Sequence, residues 1–439
     1  MALKRQRVDD PRGTSSTDYE IKSFGHESIH EVAKVGNPNF ARGAFGEITI
    51  ALRRRDTSAD GVYEFVAIKT IEQAISSVGG VQSFTSQRQP PKLSRDVFNE
   101  VCALVHLNPH PNIVNLVAVY PSKSSFVSST SLSLAFPYSP VDLHFTLEWR
   151  QRASLPPLGF DVVKAIAHDL FSALSHCHVL GVLHRDVKPG NLLVTPAGTI
   201  QLCDFGLAKP YLDEQSHPVS ALLTPSPGEI GTKGLCTLFY RPPEVLLGGP
   251  ANHPAIDMYS TGTTLAELVG GKPLLVGHNV MEQLSVVFDH LGTPNNIRWP
   301  DARLLPDYGK LEFATKEPRP WSQRLPRVLE CQDLPEMLDR LVVLDPAQRM
   351  SAAQALEHPF FAELETSAIA SLRSRLVVHE LIPPSLQVPL LLAADDSTVM
   401  ARLAVSMAAK RRTFLKTLTA WQGAELPTAT LQDAIRVCC

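Results

Sequence analysis

Two hydrophobic periodicities divide the chain. Between residues 40 and 70 the apolar positions fall in short β-type runs, Glu47 to Leu52 and Tyr63 to Thr70, joined by the polar segment Arg53 to Gly61. That pattern predicts a hairpin. Beyond about 145 the spacing turns helical, with stretches at Val162 to Leu180, Asp257 to Leu268, Met281 to Leu291 and Pro335 to Leu344. Residues 73 to 94 are rich in Ser, Gly, Gln and Pro and read as a surface insertion ahead of a helix over Asp96 to Leu107. A small β-rich part followed by a larger helical part is a two-lobe, α+β plan. Residues 1 to 25 are polar and charged and predict a loose tail. Residues 362 to 439 change character again, because Pro383, Pro384 and Pro389 break an apolar run ahead of a helical segment over 398 to 421. This stretch reads as a partly helical C-terminal extension.

Composition narrows the function classes. The 439 residues are 44% hydrophobic and 19% charged, which allows a sizeable core and excludes a polar, disordered chain. Lys and Arg (41) nearly balance Asp and Glu (44), and the net charge of -3 argues against nucleic acid as a partner. No apolar run reaches the roughly 18 residues that a membrane helix needs, and Met1 to Arg7 lack the apolar core of a signal peptide. The expectation is a soluble protein of the nucleus or cytoplasm with no membrane span. Seven cysteines without a C-x-x-C pair support neither a disulfide framework nor a cysteine zinc site. His176, Cys177 and His178 resemble a metal cluster on paper, but residues two apart on a helix point about 200° away from each other, so packing roles are expected.

The chemistry is carried by an ordered constellation. Ala41-Arg42-Gly43-Ala44-Phe45-Gly46-Glu47-Ile48 falls between predicted strands, where two glycines let backbone N–H groups approach phosphate oxygens. Val66-Ala67-Ile68-Lys69 then puts a lysine on the next strand, suited to phosphates and to a carboxylate, and Glu100 on the following helix supplies that carboxylate. His184-Arg185-Asp186-Val187-Lys188-Pro189-Gly190-Asn191 combines a carboxylate to accept a hydroxyl proton, a lysine for the transferring phosphate and an asparagine for magnesium. Asp204-Phe205-Gly206 adds a second magnesium ligand, and Arg241-Pro242-Pro243-Glu244 closes the segment.

In this order and context the motifs resemble the eukaryotic protein kinases from about 30 to 361. Gly206-Leu207-Ala208-Lys209, Thr237-Leu238-Phe239-Tyr240-Arg241, Leu291-Gly292-Thr293-Pro294 and Leu344-Asp345-Pro346-Ala347-Gln348-Arg349 look like a cyclin-dependent kinase. Trp299-Pro300 and Leu305-Pro306-Asp307-Tyr308 resemble its cell-cycle-related branch. The resemblance implies a bilobal kinase fold, with an N-lobe over about 30–136 and a C-lobe over about 140–361. It further implies ATP and Mg2+ as cofactors and proline-directed transfer of the γ-phosphate to protein Ser or Thr.

Carried across residue by residue, Lys69 and Glu100 form the active-state ion pair, Asp186 is the base, Lys188 assists, and Asn191 with Asp204 binds magnesium. Ala41, Gly43 and Gly46 form the phosphate loop, while Ile48, Ala67 and Leu193 sandwich the adenine ring. Leu132 to Ser139 match the hinge, with Phe136 guarding the back pocket, Pro137 and Ser139 meeting adenine through their backbones, and Asp142 also binding the nucleotide. Thr232 aligns with the activating phosphosite, facing Arg185 and Lys209, and Leu235, Cys236 and Arg241 shape the pocket for the residue after the phosphoacceptor. Proline is preferred there because it has no N–H to satisfy.

The departures are equally specific. Ala41 replaces the first glycine, and Ala44 with Phe45 stands where cell-cycle kinases carry an inhibitory Thr-Tyr pair. The segment Asp204 to Glu244 is long and contains Thr224-Pro225 and Ser226-Pro227, which reads as a tolerated insertion. Implied partners are proteins with Ser/Thr-Pro sites, a kinase acting on Thr232 and a cyclin or cyclin-like activator. Asn99, where cyclin-binding relatives have arginine, weakens the last of these. Two other readings meet opposing residues. A pseudokinase scaffold is opposed by the intact set Lys69, Glu100, Asp186, Asn191 and Asp204, and a mitogen-activated-type kinase by Thr232-Lys233-Gly234, which lacks the expected tyrosine. In the extension, Leu403, Met407, Phe414, Leu418 and Trp421 share one helical face amid basic residues, which suits packing on the chain's own domain.

Overall fold

The computed structural model describes residues 21–23, 29–32, 47–54, 63–71, 95–123, 130–211, 238–310, 312–362 and 378–383. Contacts divide the chain into two compact units, one containing residues 1–93 and 116–138 and the other containing 94–115 and 139–394.

The first unit is an antiparallel sheet of β1 (Ile21–Ser23), β2 (Ile29–Val32), β3 (Glu47–Arg54), β4 (Tyr63–Ile71), β5 (Ala118–Lys123) and β6 (Thr130–Pro137), in the order β1-β2-β3-β4-β6-β5. The hairpin expected from the alternating runs is β3–β4, paired from Glu47 with Thr70 to Arg54 with Tyr63. Side chains alternate across a strand, so register decides which face each residue joins. Ala51, Val66, Ile68 and Ala135 form one buried cluster, against which Val117 and Ala118 pack. Ile48, Ala67 and Lys69 therefore project from the opposite face.

The second unit begins with α1 (Arg95–Leu107), then α2 (Leu143–Arg152) and α3 (Phe160–Val179). Short strands follow: β7 (Val141–Asp142), ahead of α2, pairs with β9 (Leu192–Val194), which pairs with β10 (Ile200–Leu202), while β8 (Val182–Leu183) pairs with β11 (Lys209–Pro210). The remaining helices are α4 (Pro243–Leu246), α5 (Ala255–Gly270), α6 (Val280–Leu291), α7 (Trp321–Arg324), α8 (Leu334–Asp339), α9 (Ala352–Leu356) and α10 (Val378–Leu381). Their ends follow local chemistry. Asn279 caps α6 by accepting the Glu282 N–H at 2.9 Å, and Ser351 with Gln354 forms a capping box on α9. The α5 helix stops at Gly271, whose φ of 75° is free for a residue without Cβ.

The core of this unit is α5. Every residue from Ala255 to Val269 is buried, and α3 packs against both α5 and α9. A Cβ on Gly262 would lie 2.6 Å from Val342 Cγ2 and 2.7 Å from Leu341 Cβ, so the glycine marks where the chain after α8 docks on α5. That docking corrects the expected helix over Pro335 to Leu344, which ends at Asp339. The Arg340 carbonyl accepts from Met350 N–H at 2.9 Å, and Leu341 and Val342 turn inward to meet Gly262. Tertiary packing overrides the helical pattern there. Among the described residues no helix is long and apolar enough to cross a membrane. The expected helix over 398 to 421 lies outside the described residues, as do residues 1 to 20 of the tail expected over 1 to 25, whose Ile21–Ser23 instead pairs with β2 as strand β1.

One buried ion pair fastens α4 to the chain after α8. Arg349 Nη1 and Nη2 donate to Glu244 Oε1 and Oε2, both at 2.7 Å, and the guanidinium also donates to the carbonyls of Val343, Leu344 and Ala255 while stacking on Tyr259. Such a fork-to-fork pair is costly to break, because the surviving charge stays buried. Glu244→Ala is expected to lose about 3–5 kcal/mol of unfolding free energy. Urea denaturation measures this, and a loss below about 1 kcal/mol would match a surface ion pair instead.

Candidate active site

The site is assembled from a buried carboxylate outward. Asp257 lies in the first turn of α5 and is fully buried. Its Oδ1 accepts the Arg185 backbone N–H at 2.7 Å, and its Oδ2 accepts the His184 backbone N–H at 3.0 Å and a bond from His178 Nε2 at 2.9 Å. Burial alone would push the Asp257 pKa up. The His178 hydrogen bond, the His178 and His184 rings and the Arg185 N–H outweigh it and hold the pKa below its ordinary value. These bonds also explain an awkward backbone, since Arg185 has a φ of 67°. That region costs a residue with a Cβ about 1 kcal/mol, whereas a hydrogen bond to a charged group contributes roughly 1.5–3 kcal/mol. The carboxylate wins.

With the loop pinned, His184 distributes the constraint. Its Nδ1 accepts the Asp186 N–H at 3.2 Å, so Nε2 carries the ring proton and donates it to the Cys203 carbonyl at 2.9 Å. The ring also meets Phe205 edge-on at 4.8 Å. Cys203 N–H in turn donates to Asn191 O at 3.0 Å, which ties 184–191 to 203–205. Asp204 follows with φ 62° and ψ 69°, and α1 packs on the Phe205–Leu207 turn.

These bonds converge on Asp186. Lys188 Nζ donates to its Oδ2 at 2.6 Å, while Asn191 Nδ2 donates to the same oxygen at 3.0 Å and to the Asp186 carbonyl at 2.7 Å. Both hydrogens of the Asn191 amide are thereby used, so its oxygen remains as an acceptor. Asp186 and Asn191 are buried. The structure thus brings Asp186, Lys188 and Asn191 into direct contact and sets Asp204 beside them through Cys203.

The other expected site residues are found within their own units. In the first, Lys69 pairs with Ile48 and Leu134, and Ala67 pairs with Phe136, so all five share one face of the sheet. Pro137 ends β6 opposite Val66. In the second, Glu100 and its neighbour Asn99 are buried on α1. Asp142 and Leu193 are cross-strand partners, and Asp142 Oδ1 caps α2 by accepting the Phe145 N–H at 2.8 Å. Burial raises the Asp142 pKa more than the Phe145 N–H lowers it. Ser139 Oγ is buried with no hydrogen bond.

The Arg185 guanidinium donates to the carbonyls of Leu207 at 2.9 Å and Ala251 at 3.3 Å, and Lys209 pairs with Leu183 just ahead of the loop. Arg241 follows Tyr240, which is held at both ends. Its hydroxyl donates to Glu267 Oε2 at 2.6 Å and its carbonyl accepts from Ser260 Oγ at 2.8 Å. Burial pushes the Tyr240 hydroxyl up, and burial raises Glu267 as well. Ala41, Gly43, Gly46, Thr232, Leu235 and Cys236 lie outside the described residues.

On α3 the two histidines reach different partners, as the helical spacing requires. His176 Nε2 bonds the Leu107 carbonyl at 2.9 Å and stacks on His110, His178 binds Asp257, and Cys177 between them is buried with its thiol pKa raised by burial. Asp257, His178 and the Tyr240–Glu267 pair are the supports that motif reading missed. A signal for Asp257 existed: an acid inside Ala255-Ile256-Asp257-Met258-Tyr259 must be buried, and a buried carboxylate needs donors.

A family model described as the protein kinase domain matches residues 40–361, so the chain belongs to the protein kinases. Within them it is similar to cyclin-dependent kinases. It is 33% identical over 269 residues to cyclin-dependent kinase 20 of Pongo abelii, covering 61% of this chain and 71% of that protein. It is 34% identical over 262 residues to the Homo sapiens protein of that name, covering 60% and 69%. Over 213 residues it is 38% identical to cyclin-dependent kinase C-1 of Oryza sativa subsp. japonica, covering 48% and 38%. A chain in the solved structure of the CAK complex from Chaetomium thermophilum bound to ATP-gamma-S matches with a TM-score of 0.60 and 29% identity, over 76% of this chain and 91% of that one. The protein has the α+β kinase fold and is an ATP-dependent serine/threonine protein kinase of the cyclin-dependent type.

Asp257→Asn keeps the shape of the anchor but removes its charge and replaces one acceptor oxygen with a donor. The variant is expected to lose roughly 1–3 kcal/mol of stability and at least about tenfold in turnover. Because the folded pKa lies below the ordinary 3.8, the contribution of Asp257 is complete above that pH and is lost as pH falls through the folded value. Thermal denaturation from pH 7 to 3 should therefore fall more steeply for wild type than for Asp257→Asn.

Proposed function

We propose that this kinase is proline-directed, uses Mg2+ and acts in cell-cycle or related regulation, in the nucleus or cytoplasm, with the catalytic domain over about 30 to 361 and an extension beyond it. The observation that carries the reading is the Asp186, Lys188 and Asn191 triad on a loop anchored to Asp257. Asp186 would accept the proton of a substrate hydroxyl as that hydroxyl's oxygen bonds the γ-phosphorus and the bond to the bridging oxygen of ADP breaks. Lys188 offers a cation to the moving phosphoryl group. Because that transition state is loose, the loop acts chiefly by positioning and charge stabilisation.

The donor chemistry suits magnesium. The spare Asn191 oxygen and the Asp204 carboxylate are the hard oxygen ligands such a cation takes, with waters and phosphates completing its shell. The ion would neutralise phosphate charge. In the nucleotide site Lys69 would pair with phosphates and with Glu100, Ala41, Gly43 and Gly46 would cradle them, and Ile48, Ala67 and Leu193 would enclose the base next to Phe136, Pro137 and Ser139. The Asp142 carboxylate accepts the backbone N–H groups of Phe145 and His144 and has only lone pairs left to offer. An acceptor-only anion cannot serve phosphate, so the sugar hydroxyls are its natural partners.

For the substrate, Arg241 together with Leu235 and Cys236 supports proline after the phosphoacceptor. A solved relative is a chain of a CAK complex, and the curated relatives reported above are named for cyclins, so a cyclin-like activator belongs to the reading. Asp204→Asn is expected to keep the fold and lose nearly all Mg2+-dependent turnover, while a peptide library should enrich proline at the following position. Near wild-type activity in the first or a flat profile in the second contradicts the proposal.

Regulation supplies a further prediction. Thr232 is the proposed activating site, met by Arg185 and Lys209, with neutral Asn99 in place of a third cation. Thr232→Ala should lower activity moderately, and Asn99→Arg should make activity depend more strongly on phosphorylation, both judged with phosphate occupancy quantified. A fully active Thr232→Ala, or an Asn99→Arg that changes nothing, rejects the coupling.

A further inference from the structure

The matched kinase domain ends at 361, yet residues 378–383 are built into the second unit beyond it. Leu381, Ile382 and Pro383 are buried, the first two completely. Polar bonds fix the same six residues in place. Arg150 Nη1 donates to the Glu380 carbonyl at 2.8 Å, and Gly159 N–H donates to Glu380 Oε2 at 3.4 Å. Arg150 Nη2 lies 3.8 Å from that carboxylate. Gly159 is the N-cap of α3 and has no side chain of its own to offer, and Glu380 meets its backbone N–H, one of the donors that a helix start leaves unpaired.

One bond couples this strap to the nucleotide side of the unit. The Thr146 hydroxyl, fully buried, is 2.7 Å from the Leu381 carbonyl and 3.1 Å from the Asp142 carbonyl. It has a single proton to give. With the strap seated the shorter bond to Leu381 is favoured. Without it, the hydroxyl keeps its bond to Asp142 O, a back-bond of the kind that bends a helix in its first turn. Asp142 caps that turn by accepting the Phe145 N–H, with the His144 N–H as a further donor, and its remaining lone pairs can meet a ribose hydroxyl.

We propose that residues 378–383 form a positioning strap that sets nucleotide affinity by holding α2, and with it the Asp142 carboxylate, in register for the ribose hydroxyls. The proposal rests on the nucleotide role given to Asp142 above. Arg150 and Thr146 are positioning residues in this arrangement and touch no substrate.

The test uses the full-length chain. Leu381→Asp, which drives a charge into the buried seat, and the milder Leu381→Ala and Glu380→Gln are compared with wild type. Dissociation constants for Mg-ATP and Mg-2′,3′-dideoxy-ATP are measured by fluorescence competition, with KM and kcat alongside. The expected result is a roughly three- to tenfold weaker ATP affinity and higher KM, the span of one net hydrogen bond, with kcat within about twofold. The dideoxy nucleotide, having no hydroxyls for Asp142, should bind the variants and wild type alike. Equal weakening for both nucleotides in the mild variants would mean general loosening of α2, and unchanged ATP affinity in all three would mean that the strap sets nothing. Either overturns the proposal. If wild type binds nucleotide but transfers no phosphate to Ser or Thr, the kinase reading fails, and the two dissociation constants still decide the strap.

Discussion

The site depends on a single carboxylate that has no access to water. Asp257 turns the end of α5 into a socket for two consecutive backbone N–H groups, those of His184 and Arg185. Backbone donors leave no rotamer freedom, so accepting both fixes the orientation of the peptide plane between them. Asp186 comes next in the chain, and its position follows from that plane. The contacts of Lys188, Asn191 and Cys203 are then arranged around a carboxylate whose place is already decided. A lower-charge anchor could meet the same geometry, but would not outweigh the left-handed conformation of Arg185.

Elsewhere the second unit repeats this device of holding loops by buried polar groups on α5. Tyr240 is caught between Glu267 and Ser260, and Arg327 donates to the Val269 carbonyl at the end of the helix. Arg349 spans from Glu244 to the Ala255 carbonyl. The first unit is organised differently, by register alone. Its apolar cluster of Ala51, Val66, Ile68 and Ala135 fixes the phase of three strands, and Lys69 is turned to the other face as a consequence.

Much of this was legible in the sequence because the informative residues are contiguous. The β3–β4 hairpin follows from alternation, and the 184–191 and 204–206 motifs carry their chemistry in adjacent positions, so that Asp186, Lys188 and Asn191 needed only local folding to meet. The pattern after Pro335 predicts too long a helix, because it does not show that Leu341 and Val342 are claimed by Gly262, far away in sequence. Long-range partnerships hid in the same way. Nothing near His178 names Asp257 as its acceptor. The strap was legible only as an apolar run broken by prolines, since its anchors, Thr146 and Arg150, belong to an ordinary amphipathic helix more than two hundred residues earlier.

The complete burial of α5 has a consequence for where control can enter. A helix with no solvent-facing residue from Ala255 to Val269 offers no surface to a ligand, a modifying enzyme or a partner chain. The groups that set the geometry of the loop are sealed from direct intervention, and they remain invariant for as long as the unit stays folded. Whatever moves the loop within the folded unit must therefore work on the segments that α5 holds, by loosening or tightening the held end, while the holder itself serves as the fixed frame against which each of those movements is made.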